Sequence, residues 1–282
     1  MKSGSPGSKG SEREEASIVC LILMAMDSHP QYKLILAANR DEYYDRPTAR
    51  AAFWQEAPDV IAGRDLQGGG TWMGVTRTGR ICAITNHRDP TRVRKNVPSR
   101  GRLVSGFLLG GETPREYLKG VFQEGDTYNG FNLIAGMGAD LYWTSNRSEK
   151  GVKRLERGIH GLSNHLLDTP WPKVQRGKAE LERVLARHDS PLEEALFSLL
   201  RDQKKPPDSQ LPDTGVGLEW ERVLSPLFIQ SPRYGTRSST LVLIGRDDRV
   251  RFIEHSHDDS SREAPVVSHT FSLQTGGRSG PV

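Results

Sequence analysis

An α+β fold, antiparallel sheets with helices packed outside them, is what this sequence predicts, and three observations predict it. Short apolar runs come in pairs joined by turn residues, near the start ("SIVCLILMAM", "YKLILAAN") and again near the end ("TRSSTLVLIGR", "VRFIEHS"). Such pairs mark hairpins, since parallel strands need long crossovers between them. Stretches with apolar residues at helical spacing fall together in the middle of the chain. The composition, 35% hydrophobic and 26% charged over 282 residues, belongs to a globular chain able to bury a substantial core. No window reaches the ~18 consecutive apolar residues of a membrane-spanning helix.

Each element has its own signal. Residues 1–17, "MKSGSPGSKGSEREEAS", combine Gly, Ser and charge without the apolar stretch of a secretory signal and read as a disordered leader. "DSHPQ" supplies turn formers between the first two apolar runs. "TWMGVTR" and "RICAITN" make a second hairpin around Thr78 and Gly79, its last strand ending at Asn86. Residues 88–102, "RDPTRVRKNVPSRGR", form a basic loop followed by "LVSGFLLG". Thr113 before Pro114 marks the cap and first position of a helix in "TPREYLKGVFQE". "FNLIAGM" and "ADLYWTS" return to strand character, and "GIHGLSN" ends in a polar tip. "WPKVQRGKAELERVLARH" and "SPLEEALFSLLRD" are consecutive surface helices, each opened by a proline. "QKKPPDSQLPDTGVG" is a polar loop before the late hairpin, and "VVSHTFSL" an edge strand. A single domain over 18–274 and a flexible tail over 275–282 follow.

Composition also narrows function. Two cysteines without C-x-x-C spacing exclude a disulfide scaffold and point to a reducing compartment. The net charge of +4 is mild, and the basic loop lacks the interleaved aromatics of a single-strand binder, so nucleic acid is not an expected partner. That loop, with Arg88, Arg92, Arg94, Lys95, Arg100 and Arg102, is either a solvated surface or a site for a coenzyme A phosphate, a haem propionate or a lipid head group. Gly68, Gly69 and Gly70 precede a strand without the Lys and Ser/Thr of a phosphate loop, and read as a turn. His255 and His257 alternate on a strand with no third ligand, so no metal is assigned.

The chemistry concentrates in "LILAANRDEYYDRPTAR", which carries a buried strand straight into Asn39, Arg40, Asp41 and Glu42. Unpaired charges there are costly to bury. The first hairpin puts Cys20 and this cluster on adjacent strands; facing Arg40, the thiol would have a guanidinium beside it, which stabilises a thiolate. Arg cannot take the proton, whereas a free α-amino group on the cysteine can. Against this stands a plainer reading in which Cys20 is a small buried hydrophobe and Arg40, Asp41 and Glu42 form an internal ion network. Cys82 packs in the core.

"CLIL", "LILAANRDEYYDRP", "GGTWMGVTRTGR", "TNHRDP", "YNGFNLIAG", "HGLSNHLLDTPWPKV" and "YGTRSSTLVLI" together resemble the Transport and Golgi organisation protein 2 family, also called NRDE after its Asn-Arg-Asp-Glu motif. The resemblance runs in order from Cys20 to about Leu273. It implies a four-layer α-β-β-α sandwich similar to N-terminal-nucleophile hydrolases. By analogy with choloylglycine hydrolases and penicillin V acylases, it makes Cys20 the nucleophile and its own amine the base, with Arg40 lowering the thiol pKa. Asn86 and Asn164 become oxyanion donors, Arg237 a second cation near the sulfur, and Asp41 the holder of the amine. Those hydrolases carry the Asp three positions after the Arg, here Tyr43. The family's cysteine usually follows the initiator Met, whereas Cys20 follows Val19.

Two functions are therefore expected. One is a non-catalytic protein handling a small amphipathic or acyl ligand such as haem, acyl-coenzyme A or a lipid, linked to Golgi organisation, secretion and lipid homeostasis. Asn39, Glu42, Arg88, Arg92, Arg94 and Lys95 are its candidate ligand contacts. The other is a cysteine amidohydrolase or acyltransferase working through a thioester at Cys20. Neither requires a cofactor, and haem enters only as a bound ligand. The expected location is cytoplasmic, with peripheral association to membranes of the Golgi or mitochondria.

Overall fold

A computed structural model describes residues 20–187, 191–257 and 266–274. The leader expected over 1–17 and the tail over 275–282 lie outside the described residues. One sheet has the order β10-β1-β2-β11-β12-β13, from Gly158–Leu162, Cys20–Met26, Tyr32–Tyr43, Tyr234–Gly245, Arg249–Ser256 and Val266–Ser272. The other runs β3-β4-β5-β6-β7-β8-β9, from Thr48–Trp54, Ala57–Asp65, Met73–Thr76, Arg80–Asn86, Phe131–Met137, Asp140–Ser145 and Lys153–Arg154. Among the described residues every strand pairing in both sheets is antiparallel.

The strand period of two sorts side chains into three apolar layers. Ile22, Met24, Leu36 and Val242 of the first sheet meet Val75, Ile81 and Ile134 of the second between the sheets. Leu21, Leu23, Ile35 and Leu241 point the other way, against helices α3 (Pro172–Ala186) and α4 (Leu192–Leu200) through Leu181, Leu196 and Leu200. On the far side of the second sheet Cys82, Phe131 and Leu133 pack on α1 (Gly101–Leu109) and α2 (Pro114–Gln123) through Phe107 and Leu118. The architecture is thus a four-layer α-β-β-α sandwich. Because both sheets are covered on both faces, β1 and β2 read as continuous apolar runs and not as alternating ones. A fully buried Leu in such a layer contributes about 2 kcal/mol.

The expected hairpins form with their expected partners, and Gly79 turns the second at φ +89°. Thr113 caps α2 in a reciprocal pair with Glu116. "VVSHTFSL" supplies edge strand β13, and Gly68 to Gly70 form a turn. Four elements carried no clear sequence signal. Strands β3 and β4 pair through two register shifts, which break their alternation. Helix α1 starts at Gly101, inside the expected basic loop, with no side-chain cap. Helix α5 (Leu218–Leu224) follows Gly217 at φ +86° and spans only seven residues.

Candidate active site

The β1–β2 register places Cys20 directly across from Arg40, at the end of the sandwich where the apolar layer between the sheets gives way to polar residues. Paired residues share a face, so both side chains point between the sheets. They line a cleft of about 550 Å³ with Glu42, Arg46, Asp65 and Trp72, closed on one side by Val97 to Gly101. Arg40 lies over the Trp72 ring at 4.3 Å, donates to Thr48 Oγ1 at 3.3 Å and pairs with Glu42 at 3.6 Å. Glu42 also meets Arg46 at 3.3 Å, and Arg46 reaches Asp65 at 2.7 Å. This wall of the cleft is a chain of mutually neutralised charges.

The thiol sits in the wrong electrostatic setting for a free nucleophile. Burial pushes the Cys20 thiol up to about 12, and the Asp41 charge pushes the same way. A hydrogen bond from the Asp41 backbone and the Arg40 guanidinium oppose this without overcoming it. Arg40 is divided between Glu42, Thr48 and Trp72, which leaves it a weak counter-charge for sulfur.

Asp41 points to the opposite face, because it neighbours Arg40 along the strand. Its Oδ1 accepts from Thr236 at 2.6 Å, while Oδ2 is buried with no hydrogen-bond partner among the described residues. Burial raises the Asp41 carboxyl to about 6, opposed by the charge of Lys173. Lys173, itself buried in α3, is lowered to about 8 by burial, opposed by Asp41, and its Nζ donates to Leu224 O at 3.2 Å. Sequence reasoning assigned Lys173 no role; a lysine on the core side of an amphipathic helix was the available signal. Trp72 was missed as well, although it directly follows Thr71 at the start of a recognised hairpin.

The remaining expected site residues divide. Asn86 lines the same cleft as Cys20. Asn164 donates one Nδ2 hydrogen to Asn86 O at 2.9 Å, so it braces that strand end, and it stands outside the cleft lining. Ser163 beside it donates to Cys20 O at 3.0 Å. Asn39 is corrected from a ligand contact to a strut: it faces the helical layer and donates to Leu200 O and Leu227 O, each at 2.8 Å. Arg237 donates to Tyr43 O at 2.7 Å and Arg46 O at 3.2 Å, and it stands outside the cleft lining.

Arg88 is likewise corrected from a flexible cation to half of a buried ion pair with Glu221 at 2.7 Å. Arg92 pairs with Asp89 at 3.6 Å, Arg94 donates to Tyr128 O at 2.9 Å, and Lys95 is exposed. None of these four lines the cleft, but their neighbour Arg100 does. His255 stacks on Phe197 and His257 packs against Phe228.

The fold and site define a class: a four-layer α-β-β-α sandwich with a cysteine–arginine pair at the floor of a polar end cleft. A family model described as Transport and Golgi organisation 2 matches residues 19–259, and the chain belongs to that family. It is 36% identical over 278 residues to the bovine Transport and Golgi organization protein 2 homolog, covering 91% of this chain and 100% of that one. It is 35% identical to the human homolog over 277 residues, with 91% and 100% covered. Against the Drosophila melanogaster protein the identity is 30%, with 84% and 92% covered. Among solved structures it is similar to the Caenorhabditis elegans ortholog of N-acylethanolamine-hydrolyzing acid amidase, at TM-score 0.37 and 12% identity over 79% of this chain and 92% of that one. It is also similar to a mutant of conjugated bile acid hydrolase from Clostridium perfringens, at TM-score 0.36 and 8% identity over 91% and 97%. Among the described residues no helix is long and apolar enough to cross a membrane.

Proposed function

We propose that this chain handles a small amphipathic or acyl ligand, of the haem, acyl-coenzyme A or lipid kind, in the cleft above Cys20, and that it serves Golgi organisation, secretion and lipid homeostasis from the cytoplasmic side of membranes. The observation that carries the reading is the polar cleft over Cys20 and Arg40. Burial pushes the Cys20 thiol up to about 12, which supports holding a ligand there over attacking one. A volume of about 550 Å³ falls within the range of small-molecule sites. Titration calorimetry of the purified chain with haemin and with palmitoyl-coenzyme A tests this: saturable binding of either supports it. No binding of either, together with thiol-dependent hydrolysis of amides, overturns it.

A second reading, a cysteine amidohydrolase or acyltransferase, draws on the unpartnered Oδ2 of Asp41. An α-ammonium on Cys20 is the cation such an oxygen would receive, and it requires removal of the residues through Val19. Intact mass and N-terminal sequencing decide between the two. A chain that begins at Cys20 favours the hydrolase, and a chain that keeps Val19 favours ligand binding.

A further inference from the structure

Trp72 occupies a closely fitted seat in the wall of the cleft. Its backbone is pinned just before β5: Trp72 O accepts from the Ile84 N–H at 2.9 Å, and the neighbouring Thr71 Oγ1 donates to Met73 O at 3.1 Å. Its ring lies against Gly63 of β4, where an added Cβ would come within 2.3 Å of the indole Cη2 and 2.5 Å of Cζ2. No side chain tolerates such separations, so the indole as placed requires glycine at 63. The Arg40 Cζ stands 4.3 Å from the ring centroid, well inside the reach of a cation–π contact.

The other contacts of this guanidinium are loose. Its Nη1 donates to Thr48 Oγ1 at 3.3 Å, and its ion pair with Glu42, at 3.6 Å, is longer than a hydrogen bond. The charges of Asp65 on β4 and Glu254 on β12 act on it from farther away. Stacking on a ring fixes the plane of a guanidinium, which none of these contacts does. Cys20 is the register partner of Arg40 and shares its face. The thiol also feels Asp41 and Glu42 of β2 and Lys173 of α3. Of those groups, Arg40 is the cation on the thiol's own face, since Lys173 lies with Asp41 on the other. A cation so placed favours a thiolate, yet the thiol stays well above its ordinary value.

We propose that Trp72 is a positioning residue whose indole, seated on Gly63, holds the Arg40 guanidinium against its ring and so withholds it from the Cys20 thiol. This rests on the ligand-handling reading and adds to it the residue that keeps the thiol protonated beneath the ligand. Released from the ring, the guanidinium turns to the sulfur across the strand pair, and the thiol becomes more acidic.

The test is the rate of iodoacetamide alkylation at Cys20 in the full chain at pH 8, followed by peptide mass so that Cys82 is counted separately. W72L is expected to react about tenfold faster than the wild type, the scale on which a neighbouring cation favours a thiolate. G63A pushes the indole off its seat without removing it, is expected to accelerate alkylation likewise, and carries the test if W72L does not fold. W72F keeps a ring for the guanidinium and is expected to stay within about threefold of the wild type. In an R40Q background, W72L is expected to change the rate by less than about twofold, because no guanidinium remains to be released. A mere opening of the cleft would speed alkylation in that background as well. A W72L rate equal to wild type, a W72F rate equal to W72L, or the same acceleration in R40Q overturns the proposal. Haemin and palmitoyl-coenzyme A titrations keep the two readings apart. If either ligand binds while W72L alkylates at the wild-type rate, the Trp72 role falls and ligand handling stands; if neither binds while W72L accelerates through Arg40, the reverse holds.

Discussion

Replacing Cys20 by Ser tests the state of the thiol without reference to any ligand. A thiol whose pKa rises from the ordinary 9.0 to about 12 on folding makes the native state resist ionisation. Its stabilising contribution is fully present below pH 9 and is lost as pH rises toward 12. At pH 10.5 an unfolded thiol is almost wholly ionised while the folded one is not, and the difference amounts to about 2 kcal/mol. Serine does not titrate in this range. The stability of the C20S chain should therefore fall less steeply, by about 2 kcal/mol, between pH 8 and 10.5 than that of the wild type. Urea unfolding at half-unit steps of pH measures this, and C82S provides a control because Cys82 is also raised by burial. At pH 8 the same shift makes Cys20 about a thousandfold less thiolate than a free cysteine, readable as slow iodoacetamide alkylation. Parallel stability curves for wild type and C20S, with fast alkylation, would refute the reasoning and return the thiol to the nucleophiles.

Other outcomes follow from the same geometry. Arg88→Met leaves Glu221 charged and buried, and the denaturation midpoint should drop by the equivalent of about 3–5 kcal/mol, with part recovered in R88M/E221L. Gly70→Ala drives a Cβ into the backbone of Gly101 and should cost several-fold more stability than Gly120→Ala. The latter meets nothing within 4 Å in α2 and should stabilise by about 0.5–1 kcal/mol in thermal melts. Asp41→Asn removes a carboxyl raised by burial to about 6. The wild-type contribution is present below pH 3.8 and lost as pH rises through 6, so the D41N stability profile should be flatter across that window.

Much of this was legible because it is local. The apolar runs around Cys20 and Ala37 flank a five-residue turn segment, which puts Cys20 and Arg40 on neighbouring strands, and the observed register sets them face to face. The error at Asn39 came from treating four adjacent residues as one site, although a strand turns 39 and 41 away from 40 and 42. The partner of Arg88 lies 133 residues on, at Glu221, in a short helix without a cap signal, and no local pattern announces it. Arg237 sits where β11 slips register between Thr236 and Ser238, so its direction could not be counted along the strand. The start of α1 went unseen because the helix lacks a capping side chain.

The alternation along β2 makes the spacing of this motif as constrained as its chemistry. Asn39 holds two carbonyls of the helical layer while Arg40 faces the cleft, one residue apart in the chain and on opposite sides of a sheet. A substitution at any one position alters one of these tasks. A one-residue insertion or deletion exchanges them, driving the guanidinium among leucines and the amide into the cleft. Each side chain between Ala38 and Tyr43 thus answers to one side of the sheet, whereas the length of the segment answers to both at once.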